Sequence, residues 1–191
     1  MCIRDSREAT VALARPWHDA QVGGAGEVWI GVTGHRDLAR PDEVTAAVDV
    51  VLDDLAADGG PTLVVVSALA EGADRIVARQ VLARPGSRLI ALLPLDPVDY
   101  VADFADVASV QEFTDLLGAA DEVEVIKGAP SDDWSREAAY ERAGHAMLDR
   151  SDVLLALWDG EPGRGRGGTA EMVFEAGLIG RRCEVIAVER G

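Results

Sequence analysis

Lysine is almost absent from this chain: Lys127 is the only one in 191 residues, and arginine supplies nearly all the positive charge. Against 18 Lys and Arg stand 34 Asp and Glu, a formal net charge of −16. Nucleic-acid binding draws on basic surface, so this balance argues against a partner held through its phosphate backbone. It still leaves room for one small anion gripped by a local arginine cluster. Aromatic residues make up 5% of the chain, too few for a platform that stacks single-stranded bases. The two cysteines, Cys2 and Cys183, form neither a disulfide framework nor a zinc pattern, which makes a reducing cytoplasm the expected compartment. No apolar run approaches the roughly 20 residues of a membrane span. What remains is 48% hydrophobic and long enough for one domain with a substantial core.

Residues 1–26 do not resemble a signal peptide, because the apolar stretch Val11–Ala14 is too short and no small-residue cleavage pattern follows it. The opening MCIRDS resembles translated sequencing-adapter read-through, so 1–26 is expected to be a frayed leader and 27–191 a single domain. From Val28 onward, short apolar runs fall at 28–33, 62–67, 88–93, 122–126, 153–158 and 184–188. Their lack of polar alternation suits strands buried on both faces, as in parallel sheets. Helical spacing fills the gaps at 41–57, 72–83, 107–117, 131–149 and about 168–179, with Pro41 in a first turn and Ser131, Asp132 and Asp133 as capping residues. The alternation predicts an α/β fold: a Rossmann-like, doubly wound, mostly parallel six-stranded sheet with helices on both faces.

In such a sheet, ligands bind beyond the carboxyl ends of the strands, where strand order reverses. The loop after the fifth run is Gly163-Arg164-Gly165-Arg166-Gly167-Gly168-Thr169, leading straight into a helix. Glycines permit close backbone approach, and the free N–H groups and dipole at a helix start favour an anion. Arg164 and Arg166 can add charge-assisted hydrogen bonds, and the Thr169 hydroxyl can either cap the helix or touch a phosphate. The competing reading is a flexible turn with solvated arginines. No lysine precedes Thr169, so this is not a P-loop, and no GxGxxG follows the first run.

Other strand ends offer further candidates. Thr33, Gly34, His35 and Arg36 place a hydroxyl, a close-approach glycine and two donors after the first run. His35 either contacts a ligand oxygen or braces neighbouring backbone, and Arg36 either contacts the ligand or pairs with Asp37 or Asp42. After the second run, Gly72 permits a tight turn, and Asp74 either serves the helix dipole or accepts ribose hydroxyls. Arg75 is expected to form a surface pair, and His145 to be a packing or surface residue. Trp158 either flanks a base or joins the core.

The order GVTGHRDL, SALAEGADRIVA, LIALLP and SDVLLALWDG…GRGGTAEMVFEA resembles the SLOG superfamily, over roughly residues 28–188. These Rossmann-like domains are related to the Lonely-Guy phosphoribohydrolases, the DNA-processing DprA domain and ligand sensors of bacterial conflict systems. The resemblance implies a pocket for a nucleotide or a nucleotide-derived ligand such as NAD or ADP-ribose. By it, Gly34, His35 and Arg36 belong to the first ligand loop, Gly72 and Asp74 to the second, and Gly167, Gly168 and Thr169 to the phosphate-binding loop. The Lonely-Guy element PGGxGTxxE, set on Gly168 and Thr169, puts Met172 where the family has its glutamate. Glu171 is one residue early, which turns its side chain about 100° around a helix. The family's upstream arginine falls at Ala143, one residue from Arg142. The expected function is therefore ligand sensing without catalysis, with nucleoside 5′-monophosphate hydrolysis through Glu171 as the alternative.

No cofactor is required for sensing. A Mg²⁺ ion accompanying a bound phosphate is the one metal option, through Asp96, Asp99, Asp103 and Asp106, whose simpler reading is a solvated acidic face. The expected partner is a nucleotide-derived small molecule, with a homodimer or a separate effector protein as further options. An apolar stripe of Met172, Val173, Ala176 and Ile179 serves either self-association or coverage of the sheet.

Overall fold

Leu63 and Val65 face one way from their strand, Val64 and Val66 the other, and all four are buried. The run TLVVVS lacks polar alternation because both faces of its strand are covered. The structure, a computed structural model, describes residues 26–56, 60–128, 135–162 and 167–191. In chain order its elements are β1 (Glu27–Gly34), α1 (Pro41–Leu55), β2 (Thr62–Ser67), α2 (Ala73–Leu82), β3 (Arg88–Leu93), α3 (Pro97–Tyr100), α4 (Val107–Gly118), β4 (Glu122–Val125), α5 (Arg136–Arg150), β5 (Val153–Trp158), α6 (Thr169–Leu178) and β6 (Arg182–Ala187). Apart from Gly26, the expected leader lies outside the described residues. Among the described residues no helix is long and apolar enough to cross a membrane.

The strands form one sheet in the order β4-β3-β2-β1-β5-β6, parallel throughout, with Ile30 of β1 beside Val65 on one side and Val153 on the other. This is the expected Rossmann-like α/β arrangement. The chain steps outward from β1 to β4, then returns to the far side of β1 for β5 and β6. Right-handed crossovers in opposite directions place their helices on opposite faces. Accordingly α1, α2 and α4 cover one face with Val48, Leu52, Val77 and Phe113, while α5 and α6 cover the other with Met147, Leu148, Met172 and Ala176.

Three expectations are corrected. The strands β4 and β6 are sheet edges, not strands buried on both faces: Glu122, Val123 and Glu124 are exposed, as are Arg182, Val185 and Ala187. β6 also begins at Arg182, two residues earlier than the apolar run indicates, because pairing with β5 starts at Val153↔Arg182. The acidic stretch after β3 is solvated as expected at Asp96, Asp99 and Asp106, which are exposed, while Asp103 is half-buried. Pro97 opens the short helix α3, Tyr100 anchors it in the core, Asp103 pairs with Arg136 at 2.7 Å, and Asp106 caps α4 by accepting from the Ser109 N–H at 2.8 Å. Finally, α5 begins at Arg136 with Ser135 as its cap, and Ser131–Asp133 lie outside the described residues.

The Ser135 hydroxyl accepts from the Ala138 N–H at 3.2 Å, satisfying one of the donors a helix start leaves open. Ser135→Ala is expected to cost about 1 kcal/mol. Urea unfolding checks this, through a lowered midpoint at an unchanged slope.

Candidate functional site

The loops after β1, β2 and β5 are tied together where the strand order reverses. The His35 N–H donates to the Leu157 carbonyl at 3.2 Å, and the His35 carbonyl accepts from the Ala73 N–H at 3.1 Å. The first loop is thus pinned to β5 on one side and to the start of α2 on the other. Gly72 makes the second contact possible. Its φ is +75° with ψ −116°, and a Cβ there would lie 2.3 Å from the Arg36 carbonyl oxygen. Gly167 does the same work before α6, with φ +70° and space for a Cβ closed by the Glu141 backbone at 2.8 Å. The loop entering α6 therefore rests on α5 at Tyr140 and Glu141.

Tyr140 is also where Arg36 lands. The Arg36 guanidinium lies over the Tyr140 ring, 5.4 Å from its centroid. Burial opposes its charge, but a hydrogen bond with Tyr140 and the proximity of Tyr100, Tyr140 and Asp103 outweigh this and push its pKa above the ordinary arginine value. The Tyr140 hydroxyl donates to Asp103, which also takes Arg136. Burial works against ionised Asp103, yet the hydrogen bonds from Arg136 and Tyr140 hold it below the usual carboxylate range. A cation is thus held at the rim by an aromatic ring and a relayed carboxylate, not by an acid of its own.

Beneath this rim, the Asp74 carboxyl is buried in the first turn of α2. It accepts from the Ser67 hydroxyl at 2.9 Å and from the Ala70 N–H at 3.3 Å. Burial raises its pKa to about 6 in spite of these hydrogen bonds and the field of Arg36. Across the rim, His35 Nε2 lies 3.1 Å from the Asp159 backbone N and 3.0 Å from Asp159 Oδ1. A bare Nε2 accepts from the N–H, whereas a protonated one turns to the carboxylate. A hydrogen bond from Arg190, at 2.6 Å, is the chief reason that Asp159 is held well below the ordinary carboxylate range. Beside this pair an open cleft of about 500 Å³ is lined by Asp159, Glu161, Pro162, Val188, Glu189 and Arg190.

The structure brings Thr33, Gly34, His35, Arg36, Gly72, Asp74, Gly167, Gly168 and Thr169 to one end of the sheet. Arg164 and Arg166 lie outside the described residues. Thr33 is buried, and Thr169 is the first residue of α6, with Gly168, which has no side chain, at the cap position. Glu171 accepts from the Gly167 N–H at 2.6 Å, so its carboxylate fastens its own loop. Glu175 pairs with His145 at 2.9 Å, joining α5 to α6. Trp158 is half-buried at the mouth, its indole N–H donating to the Glu161 carbonyl at 2.9 Å.

Arg75 overturns its expectation. Far from a surface pair, its side chain is 1% exposed, stacked on Phe104, and bonded to the Leu69 and Ser109 carbonyls, with Glu112 at 3.0 Å. Sequence reading also missed Tyr140 and Arg190, and it named Asp103 only as a Mg²⁺ option or a solvated acid, not as the partner of Tyr140 and Arg136. Tyr140 stands two residues before Arg142; an aromatic near the amino end of α5 was the available signal. Among the described residues no three His, Cys, Asp or Glu side chains converge as a metal-binding group.

No family model matches the chain. No curated protein matches it. Among solved structures it is similar to the X-ray structure of DNA processing protein A (DprA) from Streptococcus pneumoniae, with a TM-score of 0.57 and 18% identity. The match covers 83% of this chain and 50% of that one, so this chain spans half of that protein's length. At this identity the likeness concerns the fold.

Proposed function

We propose that this SLOG-like domain binds a nucleotide or a nucleotide-derived ligand of the NAD or ADP-ribose kind at the carboxyl end of its sheet, and acts as a sensor. The observation that carries the reading is the convergence on Tyr140: Arg36 lies over its ring, and Gly167, which leads into the start of α6, rests on the backbone beside it. A guanidinium and a helix N-terminus approaching the same point form a bipartite receptor for a phosphate. In sequence, Arg164 and Arg166 stand just before Gly167 on the proposed phosphate loop. The structural neighbour shares the fold, and its name speaks of DNA processing. For this chain the net charge of −16 argues for a small ligand over a DNA strand.

Glu171 supports sensing over hydrolysis. A carboxylate that attacks or stabilises a ribose has to face the sugar, and this one is engaged with the Gly167 N–H. Any effector the sensor controls is a separate partner or a further part of the protein. Where a phosphate is bound, a Mg²⁺ ion can accompany it, but the reading needs none.

The test is a thermal-shift screen of the full chain against nucleoside monophosphates, NAD, ADP-ribose and cyclic ADP-ribose, followed by chromatography of the recovered ligand. Stabilisation with the ligand intact is the expected result, and the absence of any shift overturns the reading. Arg166→Ala combined with Thr169→Ala is expected to weaken binding about tenfold, or about 1.4 kcal/mol. Free base in the recovered sample restores phosphoribohydrolase chemistry in place of sensing. In that event Glu171→Gln should stop base release while leaving binding intact.

A further inference from the structure

The stripe on α6 is split by the structure. Met172 and Ala176 cover the sheet, while Phe174, Leu178 and Ile179 are 67%, 70% and 56% exposed. Next to them runs β6, an edge strand with one side unpaired and Val185 exposed on the face that α6 shares. An edge with an apolar helix beside it invites a further strand unless charge blocks it. The other edge is blocked. β4 reads EVEV, and antiparallel pairing of β4 with itself about Glu122, Val123 or Glu124 sets Glu122 against Glu124 or one glutamate against its own copy.

β6 reads RCEVIA. The Val188 N–H donates to the Trp158 carbonyl, so by alternation the backbone groups of Cys183 and Val185 point to the open edge. A two-fold axis through Cys183 lets the two Cys183 residues exchange both backbone hydrogen bonds. It also sets Arg182 opposite Glu184 of the second copy, and Glu184 opposite its Arg182. An axis at Glu184 opposes like charges, and one at Val185 pairs neither charge with its opposite. Only the first register is self-complementary. It brings the Leu178 and Ile179 ends of both α6 helices toward the axis, because only Gly180 and Arg181 separate them from β6.

We propose that two copies of this chain pair antiparallel along β6 about Cys183, making one continuous sheet with the α6 ends packed across the axis. The interface is isologous, as closed two-fold assemblies require. Arg182 and Glu184 already pair within the strand at 2.7 Å, and Arg182 reaches Asp54 at 3.7 Å, so both side chains lie on the α1 face of the edge.

Sedimentation velocity on the full chain, from micromolar to submillimolar loading, is expected to show a monomer–dimer equilibrium. Arg182→Glu alone and Glu184→Arg alone each turn two cross-axis attractions into repulsions and should weaken the dimer about tenfold. The double exchange, Arg182→Glu with Glu184→Arg, restores the pairs in swapped order and should restore the dimer. Circular dichroism and thermal unfolding confirm that each variant is folded. A chain that stays monomeric throughout, a dimer that survives either single reversal, or a double exchange that does not recover it overturns the proposal.

Discussion

Gly72→Ala should lower stability by about 4 kcal/mol, roughly a 10 °C fall in Tm for a domain of this size. Two costs add at this residue. Its backbone sits at φ +75° and ψ −116°, a region essentially closed to residues with a Cβ. The Cβ would also meet the Arg36 and His35 carbonyl oxygens at 2.3 and 2.5 Å, and these belong to backbone that cannot swing aside. Gly86 separates the two costs. It has φ +78° with nothing within 4 Å of a Cβ, so Gly86→Ala carries the conformational penalty alone, about 1 kcal/mol. Urea unfolding of both variants measures the difference, and equal losses would mean that the first loop yields to a methyl group. Relief of the overlap has to push the His35–Asp37 loop off α2, breaking the hydrogen bond from Ala73 to His35. Nucleotide binding should therefore fall with stability in Gly72→Ala and persist in Gly86→Ala.

The central sheet was legible because β1, β2, β3 and β5 are covered on both faces, and continuous apolar runs arise from that coverage. The edge strands were harder. EVEV and RCEVIA keep enough apolar residues to read as strands, but whether a strand is central depends on its neighbours, which local pattern does not encode. The glycines of the site could be found for a local reason: each marks a turn at a strand's carboxyl end. Its polar contacts could not. His35 and Asp159 are separated by 124 residues, and only the placement of β5 beside β1 joins them. Arg75 shows the same limit. A charged residue in a first helical turn normally faces water, and this one is buried because α4 and Phe104 close over it from a later part of the chain.

The buried carboxyl of Asp74 predicts a stability that declines as pH rises from about 4 to about 6. Burial raises its pKa from 3.8 to about 6 in the folded chain, so in that window the native state binds more protons than the unfolded one. Where the native state binds more protons, unfolding free energy falls with rising pH. Below pH 4 the carboxyl is protonated in both states and costs nothing. Above pH 6 it is ionised in both, and the full cost is about 3 kcal/mol at 1.36 kcal/mol for each pKa unit. Asp74→Asn keeps an oxygen for the Ser67 hydroxyl and the Ala70 N–H but carries no charge. Its stability should match the parent near pH 4 and exceed it by about 3 kcal/mol at pH 7, as read by urea unfolding at each pH. Asp103 and Asp159, both held below the usual carboxylate range, lose their contributions at lower pH in both proteins and cancel in the difference. Curves that run parallel from pH 4 to 7 would show that Asp74 ionises as an ordinary aspartate. A stabilised Asp74→Asn variant that binds nucleotide more weakly gives the charge its reason. That outcome would mean that the proposed site uses the field of Asp74 on Arg36, and that the cost of burying the charge is offset on ligand binding.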